Sequence, residues 1–148
     1  MTVLIDPTAA QWVVDRLDDP AVRTVADFGQ HTALAIVRHG VMQAAVVYSG
    51  WVPALRMVCV TIAAETPRWA TRANIKTVFS VAFDALQVTR ITAIVAKDNR
   101  RSRKLAEGLG FIMDCRLRGT DRLVYGYLDS DYSRWCARAH VARLERAA

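Results

Sequence analysis

Residues Asn99 to Phe111, NRRSRKLAEGLGF, constrain the fold more than any other stretch, because they stand directly between the apolar run ITAIVAK and the strand-like IMDCRLR. Asn99 is an N-cap residue type, and its side-chain oxygen can accept from the amide of Arg101 or Ser102, so the chain can leave a strand and turn at once into a helix. Asp98, just outside, suits the same positive helix end. Leu105 and Leu109, four apart, are expected to pack inward, leaving Ser102 and Ala106 on a neighbouring face. Gly110 supplies a left-handed C-cap and Phe111 the apolar contact beyond it. Gly108 lowers helix preference by about 1 kcal/mol and points to a close approach by another part of the chain.

Local physics leaves two readings of this segment. It is a connecting helix with a solvated basic run of Arg100, Arg101, Arg103 and Lys104, or a helix start whose four positive charges are offset by an external anion. A phosphate-contacting patch for nucleic acid is disfavoured, because no aromatic stacking motif interleaves the run.

The rest of the chain supplies strands and helices in a definite order. Pro7, with Trp12, Val13 and Leu17 at helical spacing, opens a first helix expected to end near Asp18 to Pro20. TALAIVR and VMQAAVVYS, separated by His39 and Gly40, read as an antiparallel hairpin. Ala54 to Ala64 is a further strand, and Pro67 stops regular pairing. From Thr71 the period becomes helical, with Ile75, Val78, Phe79, Ala82, Phe83 and Leu86 forming one apolar stripe that meets a sheet. Arg90 to Ala96 is a short strand, so the helix between it and Ala54 to Ala64 makes a βαβ unit. Strands at Ile112 to Leu117 and Arg122 to Leu128, turning at Gly119 to Asp121, complete a mixed α/β sheet. No internal repeat or low-complexity segment is evident.

At 148 residues the chain is expected to be one domain, residues 1–148, burying roughly 68 % of its extended surface. No apolar run approaches the roughly 20 residues of a membrane span, and MTVLIDPTAAQWVV has no basic flank of a secretory signal, so a cytoplasmic location without a membrane partner is expected. Cys59, Cys115 and Cys136 are odd in number and widely spaced, which suggests neither a disulfide framework nor a metal site. The formal charge is +6, and all but three of the 20 basic residues are arginine. Such a field suits an anionic partner. Part of it lies in the tail from Ser133 to Ala148, where Arg134, Arg138, Arg143 and Arg146 accompany Trp135, Val141 and Leu144 in an expected C-terminal helix at about 133–147.

A second anion candidate is PRWATRANIK, Pro67 to Lys76. Arg68, Arg72 and Lys76 are spaced four apart around a helix start, beside amides that can bind an anionic group. The alternative is a basic exposed face. Both candidates follow strands directly, where ligands of α/β sheets commonly sit.

With these two helix starts, the chain from about Thr32 to Leu128 resembles the GCN5-related N-acetyltransferase (GNAT) family, especially compact single-domain members encoded by tailed bacteriophages. The family's second helix carries an Asn, Ser, Leu, Glu, Gly, Phe signature, matched here by Asn99, Ser102, Leu105, Glu107, Gly110 and Phe111, followed by Arg116, Arg118 and VYGYL at Val124 to Leu128. The family's phosphate loop is Gln or Arg, two residues, Gly, one residue, then Gly or Ala. The matching segment is Arg68, Trp69, Ala70, Thr71, Arg72, Ala73, with Thr71 at the first glycine position. Phosphates can still be held there if these residues keep right-handed helical angles. Trp69 either closes over the loop or adenine or is a core tryptophan.

The resemblance implies a mixed, mostly antiparallel sheet flanked by helices, with a splayed central pair of parallel strands. It implies acetyl-CoA, or another acyl-CoA, as cosubstrate and an amine of a protein or small molecule as acceptor. The pantetheine arm would run between strands splayed after Ala63 and before Ala96, with backbone groups of Ile62, Ala63 and Ala64 aligning the thioester and Asn99 and Ser102 contacting pantetheine. The amine would attack directly, through a tetrahedral transition state stabilised by a preorganised amide. The tyrosine that protonates the thiolate in many relatives is replaced by Ala106. Tyr125 or Tyr127 on the last strand could substitute, or both are packed aromatics. An amine base could be Glu65 or a water chain ending at His31 or Tyr48, and Glu65 is otherwise a loop carboxylate paired with an arginine. The rival reading is a catalytically silent GNAT-like domain that binds a host or virion protein through its arginine-rich tail. The terminal helix and last strand are surfaces for a homodimer, and a phage-encoded chain would work in the host cytoplasm.

Overall fold

Runs of small and branched apolar residues turn the first half of the chain into an antiparallel meander. The computed structural model describes residues 1–147, and residues 139–144 by backbone alone. Two units can be distinguished, Met1–Val88 and a second from Thr89 onward. In the first, β1 (Thr2–Ile5), β2 (His31–Arg38), β3 (Val41–Val52) and β4 (Met57–Ala64) lie side by side in chain order, each pair antiparallel. His39 and Gly40 join β2 to β3 with φ of 51° and 74°, the two-residue turn whose twist matches that of its strands. β1 was not expected from the sequence, because four residues are too few to display a period. β4 starts at Met57 rather than Ala54, since Pro53–Leu55 coil into a 3-10 turn and Arg56 takes a left-handed conformation before pairing resumes.

Both faces of this meander are covered, which is why β2 and β3 read as nearly unbroken apolar runs. One face presents Ala33, Ala35, Ala45 and Val47 to Ala9, Ala10 and Val13 of α1 (Thr8–Val14). Alanines on both sides let the helix lie close to the strands. On the other face Leu34, Ile36 and Val46 are buried beside Tyr48, whose hydroxyl donates to the Val78 carbonyl at 2.8 Å.

Helix α1 stops at Val14, earlier than the expected end near Asp18 to Pro20, because the following amide of Arg16 reaches back only three residues, to Val13. Pro7 stands at its N-cap position, and Asp6 does the capping by accepting from the amide and hydroxyl of Thr8. Those two bonds hold the Asp6 carboxyl below the usual carboxylate range, the Thr8 hydroxyl contributing most. Helix α2 (Arg72–Ser80) buries Val78 and Phe79, and its winding then loosens at Val81–Ala85, where Leu86 N donates five residues back to Val81 O. Ala82 and Phe83 remain on the buried stripe.

The second unit is built on β5 (Arg90–Ala96), β6 (Ile112–Arg116) and β7 (Arg122–Leu128), with β7 antiparallel to both of the others. Helix α3 (Arg100–Leu109) connects β5 to β6, and α4 (Asp129–Ala147) follows β7 without a loop. The last helix begins four residues before the expected 133, because Asp131 Oδ2 accepts from Leu128 N at 3.0 Å and starts the turn directly after the strand. Tyr132 and Trp135 stack along it with ring centroids 6.3 Å apart. The side chains of Val141, Arg143 and Leu144, expected on this helix, lie outside the described residues. Among the described residues no helix is long and apolar enough to cross a membrane.

Candidate functional site

The two candidate helix starts are each shaped by a capping side chain. In the first unit β4 ends at Ala64, Thr66 accepts from Arg68 N at 3.2 Å, and Pro67–Trp69 make a single 3-10 turn. Thr71 then caps α2, its Oγ1 accepting from Asn74 N at 3.2 Å, while its carbonyl takes the amide of Ile75. Thr71 lies at φ −71°, ψ 156°, extended rather than in the helical region expected for it. Its negative φ needs no glycine, so threonine is conformationally sound where the family pattern has glycine. Its hydroxyl instead claims one first-turn amide that an uncapped helix would offer to an anion. Arg68, Arg72 and Lys76 are exposed around this end.

Sequence reasoning missed Asn74, although the signal was visible: a polar residue on the apolar stripe, four before Val78. Asn74 is 5 % exposed, and its Nδ2 donates to the Trp69 carbonyl at 2.8 Å. The Thr71 amide donates to the same carbonyl at 2.8 Å. Loop and helix are thereby tied at one point. Trp69 itself is a core side chain, 1 % exposed, so of the two roles open to it in the sequence the ring takes the structural one.

In the second unit Asn99 Oδ1 accepts from Ser102 N at 3.1 Å, and Gly110 closes α3 at φ 98°. The Leu105 and Leu109 side chains are only half-buried, and Ala106 is the buried residue of the helix. No close approach is found at Gly108, where an added Cβ meets nothing within 4 Å. Gly126 on β7 has that role: an added Cβ would strike the Arg90 guanidinium and Asp114 carboxylate, which form an ion pair across it.

The basic run at the start of α3 is not uniformly solvated. Arg103 folds back, Nη1 donating to the Lys97 carbonyl at 3.2 Å and Nε to the Tyr125 hydroxyl at 3.4 Å. Tyr125 in turn donates to Glu107 Oε1 at 2.9 Å. Its hydrogen bond to Tyr125 is the main reason that the Arg103 guanidinium holds its proton more firmly than usual. Tyr127 stacks on Phe111 at 5.2 Å, and burial, followed by the charges of Asp131 and Cys136, pushes its phenol up to about 12. Tyr125 and Tyr127 were the candidate proton donors. Both are core side chains, 0 % and 2 % exposed, because β7 turns this face under α3.

Glu65 is exposed at the end of β4, where its amide continues the ladder to Gln43 O at 2.9 Å. Its carboxylate accepts from Arg16 Nε at 2.6 Å, so the paired alternative is the one seen, with an arginine 49 positions away rather than a neighbour in sequence. Of the other base candidates, His31 Nδ1 lies 2.7 Å from Gly29 O, and the Tyr48 hydroxyl is spent on Val78 O. Ile62, Ala63 and Ala64 are partly buried on β4.

Comparison with solved structures places this architecture. A chimeric spermidine N-acetyltransferase SpeG from Vibrio cholerae and hSSAT superposes with a TM-score of 0.68 at 13 % identity, over 89 % of this chain and 99 % of the other. A point mutant of the Vibrio cholerae enzyme gives 0.67 at 14 % identity, over 89 % and 97 %. The ribosomal-protein-S5-alanine acetyltransferase from Vibrio fischeri gives 0.61 at 14 % identity, over 87 % and 93 %. The chain has the GNAT fold. No protein-family model matches the sequence, and no curated protein matches it. The exposed Arg68, Arg72 and Lys76 beside the start of α2 suit a phosphate-bearing anion in charge.

Proposed function

We propose that this chain is an N-acyltransferase that moves an acyl group, acetyl in the simplest case, from acyl-CoA to an amine of a protein or small molecule. The observation that supports this most is the start of α3 within a fold shared with N-acetyltransferases: Asn99 caps through Ser102, and these two residues occupy the positions that the family resemblance assigns to pantetheine contact. In this reading residues 1–148 act as one acyl-CoA-binding domain. The side chains of Arg68 and Arg72, with the first-turn amides of α2 at Arg72 and Ala73, take the phosphates, Trp69 and Ala70 with Thr71 shape the loop beneath them, and backbone groups of Ile62 to Ala64 align the thioester. The amine nitrogen attacks the acyl carbon, the C–N bond forms, and the C–S bond breaks with its electron pair leaving on sulfur. The nitrogen's surplus proton passes to Glu65 or water. A thiol with a pKa of about 8.5 is a fair leaving group near neutrality, so water can protonate it, and the burial of Tyr125 and Tyr127 is compatible with turnover.

Titration calorimetry with acetyl-CoA tests the reading. Micromolar binding that is lost in the Arg68→Ala, Arg72→Ala double variant is expected, and absence of binding at millimolar acetyl-CoA would refute it. Binding without thiol release over an amine and peptide panel would favour the catalytically silent domain.

A further inference from the structure

Arg16 occupies a cation site made by an aromatic ring and a carboxylate of the first unit. Its guanidinium carbon lies 3.5 Å from the centroid of the Trp12 ring, and its Nε meets Glu65 Oε1 at 2.6 Å. A third bond runs from Nη1 to the Trp12 carbonyl at 3.2 Å. An aromatic face with a carboxylate at the cation's edge is an arrangement that holds ammonium and guanidinium groups in general. Glu65 is fixed by its backbone at the end of β4, and Trp12 on α1 packs against the core, whereas Arg16 stands two residues past the end of that helix. Site and occupant are therefore built differently: the walls are anchored and the cation between them is on a turn.

We propose that Trp12 and Glu65 form a binding site for the cationic amine acceptor, which Arg16 fills in its absence and vacates when the acceptor's ammonium enters. Three features favour exchange over a permanent bridge. The Arg16 and Glu65 side chains keep 35 % and 55 % of their exposure, so water and solutes reach the pair. Exposed ion pairs and exposed cation–π contacts are individually weak. Around the exit of α1 the chain also carries Asp15, Asp18 and Asp19, an acidic stretch in a protein of net charge +6, which draws small cations toward this end of the helix. The ligand chemistry is a primary ammonium on a flexible alkyl arm, whether in a free diamine or a lysine side chain. The inference rests on the acyltransfer reading only in calling this cation the acceptor.

The test is calorimetric binding of 1,4-diaminobutane and of Nα-acetyl-lysine methylamide, with 1,4-butanediol as the neutral control, all without acetyl-CoA. Arg16→Ala is expected to bind the amines about three- to tenfold more tightly than the parent chain, because the competing cation is gone. Glu65→Gln should bind them at least about tenfold more weakly, as loss of a charged partner implies. Arg16→Lys, which restores a cation, should return to within about twofold of the parent. A merely structural ion pair gives no such opposition of sign: equal or weaker binding by Arg16→Ala, or unchanged binding by Glu65→Gln, overturns the proposal. Preference for the diamine or for the lysine derivative separates the two sources. Loss of amine binding with acetyl-CoA binding intact would remove this site alone, and the converse would remove only the acyltransfer reading.

Discussion

Replacing Thr71 by glycine should weaken the fold and tighten the cosubstrate. The hydroxyl of Thr71 holds the Asn74 amide at 3.2 Å, and the residue sits at φ −71°, where glycine gains nothing conformationally. Exchanging a threonine cap for glycine costs from a few tenths to about 2 kcal/mol, glycine's backbone freedom included. A loss of about 1 kcal/mol in a chain of this size lowers Tm by about 2–4 °C. In return the Asn74 amide is released to a phosphate oxygen. A hydrogen bond to a charged group contributes about 1.5–3 kcal/mol, so acetyl-CoA should bind about ten- to hundredfold more tightly. Thr71→Ala removes the same hydroxyl and should show the same gain in affinity, whereas Thr71→Ser keeps the cap and should change neither quantity. Thermal melts and calorimetric titrations with acetyl-CoA measure both. A lower Tm with unchanged or weaker acetyl-CoA binding in both the glycine and alanine variants would show that this amide does not face a phosphate, and the role assigned to the start of α2 would fall.

Gly110→Ala should lose about 2 kcal/mol, read by urea unfolding, because φ 98° is costly for an L side chain and the new Cβ would lie 3.2 Å from Tyr127 Cε2. Asn74→Ala removes the bond to the Trp69 carbonyl but leaves that carbonyl its bond from Thr71, so a loss near the lower end of about 1–3 kcal/mol is expected in the same assay. Alkaline stability should depend on Tyr127: its folded pKa of about 12 lies above the unfolded value of about 10, so the folded chain keeps the proton longer and stability drops as pH climbs between the two. In urea midpoints measured at pH 9 and pH 11, Tyr127→Phe should show a smaller drop than the parent, and an equal drop would count against the burial-driven shift.

Much of the second unit was legible because its local signals agree. Strand, N-cap, helix, glycine C-cap and strand follow one another from Arg90 to Phe111, and β5 and β7 have the bounds read from the sequence. Where local signals were short or ambiguous the reading failed: β1 has four residues, and α1 lost its last turn to a three-residue hydrogen bond. Gly108 was read as a close approach, but helix composition cannot say which glycine faces a neighbour, and it is Gly126 that lies under an ion pair. The contacts around the candidate residues were hidden for a different reason. Arg103 and Glu107 are one turn of α3 apart, yet their common partner Tyr125 comes from strand β7, and nothing local joins Arg16 to Glu65. Ion pairs and hydroxyl bonds of this kind are set by tertiary proximity, and residue type alone names only the candidates.

The most direct test is to incubate the purified chain with acetyl-CoA and a panel of amines and peptides, following free thiol and the mass of the acceptor together. Thiol release matched by acetylated amine, and abolished in the Arg68→Ala, Arg72→Ala double variant, is the expected result. Acetyl-CoA that binds but yields neither thiol nor acetylated amine across the panel would contradict the assignment of this chain as an acyltransferase.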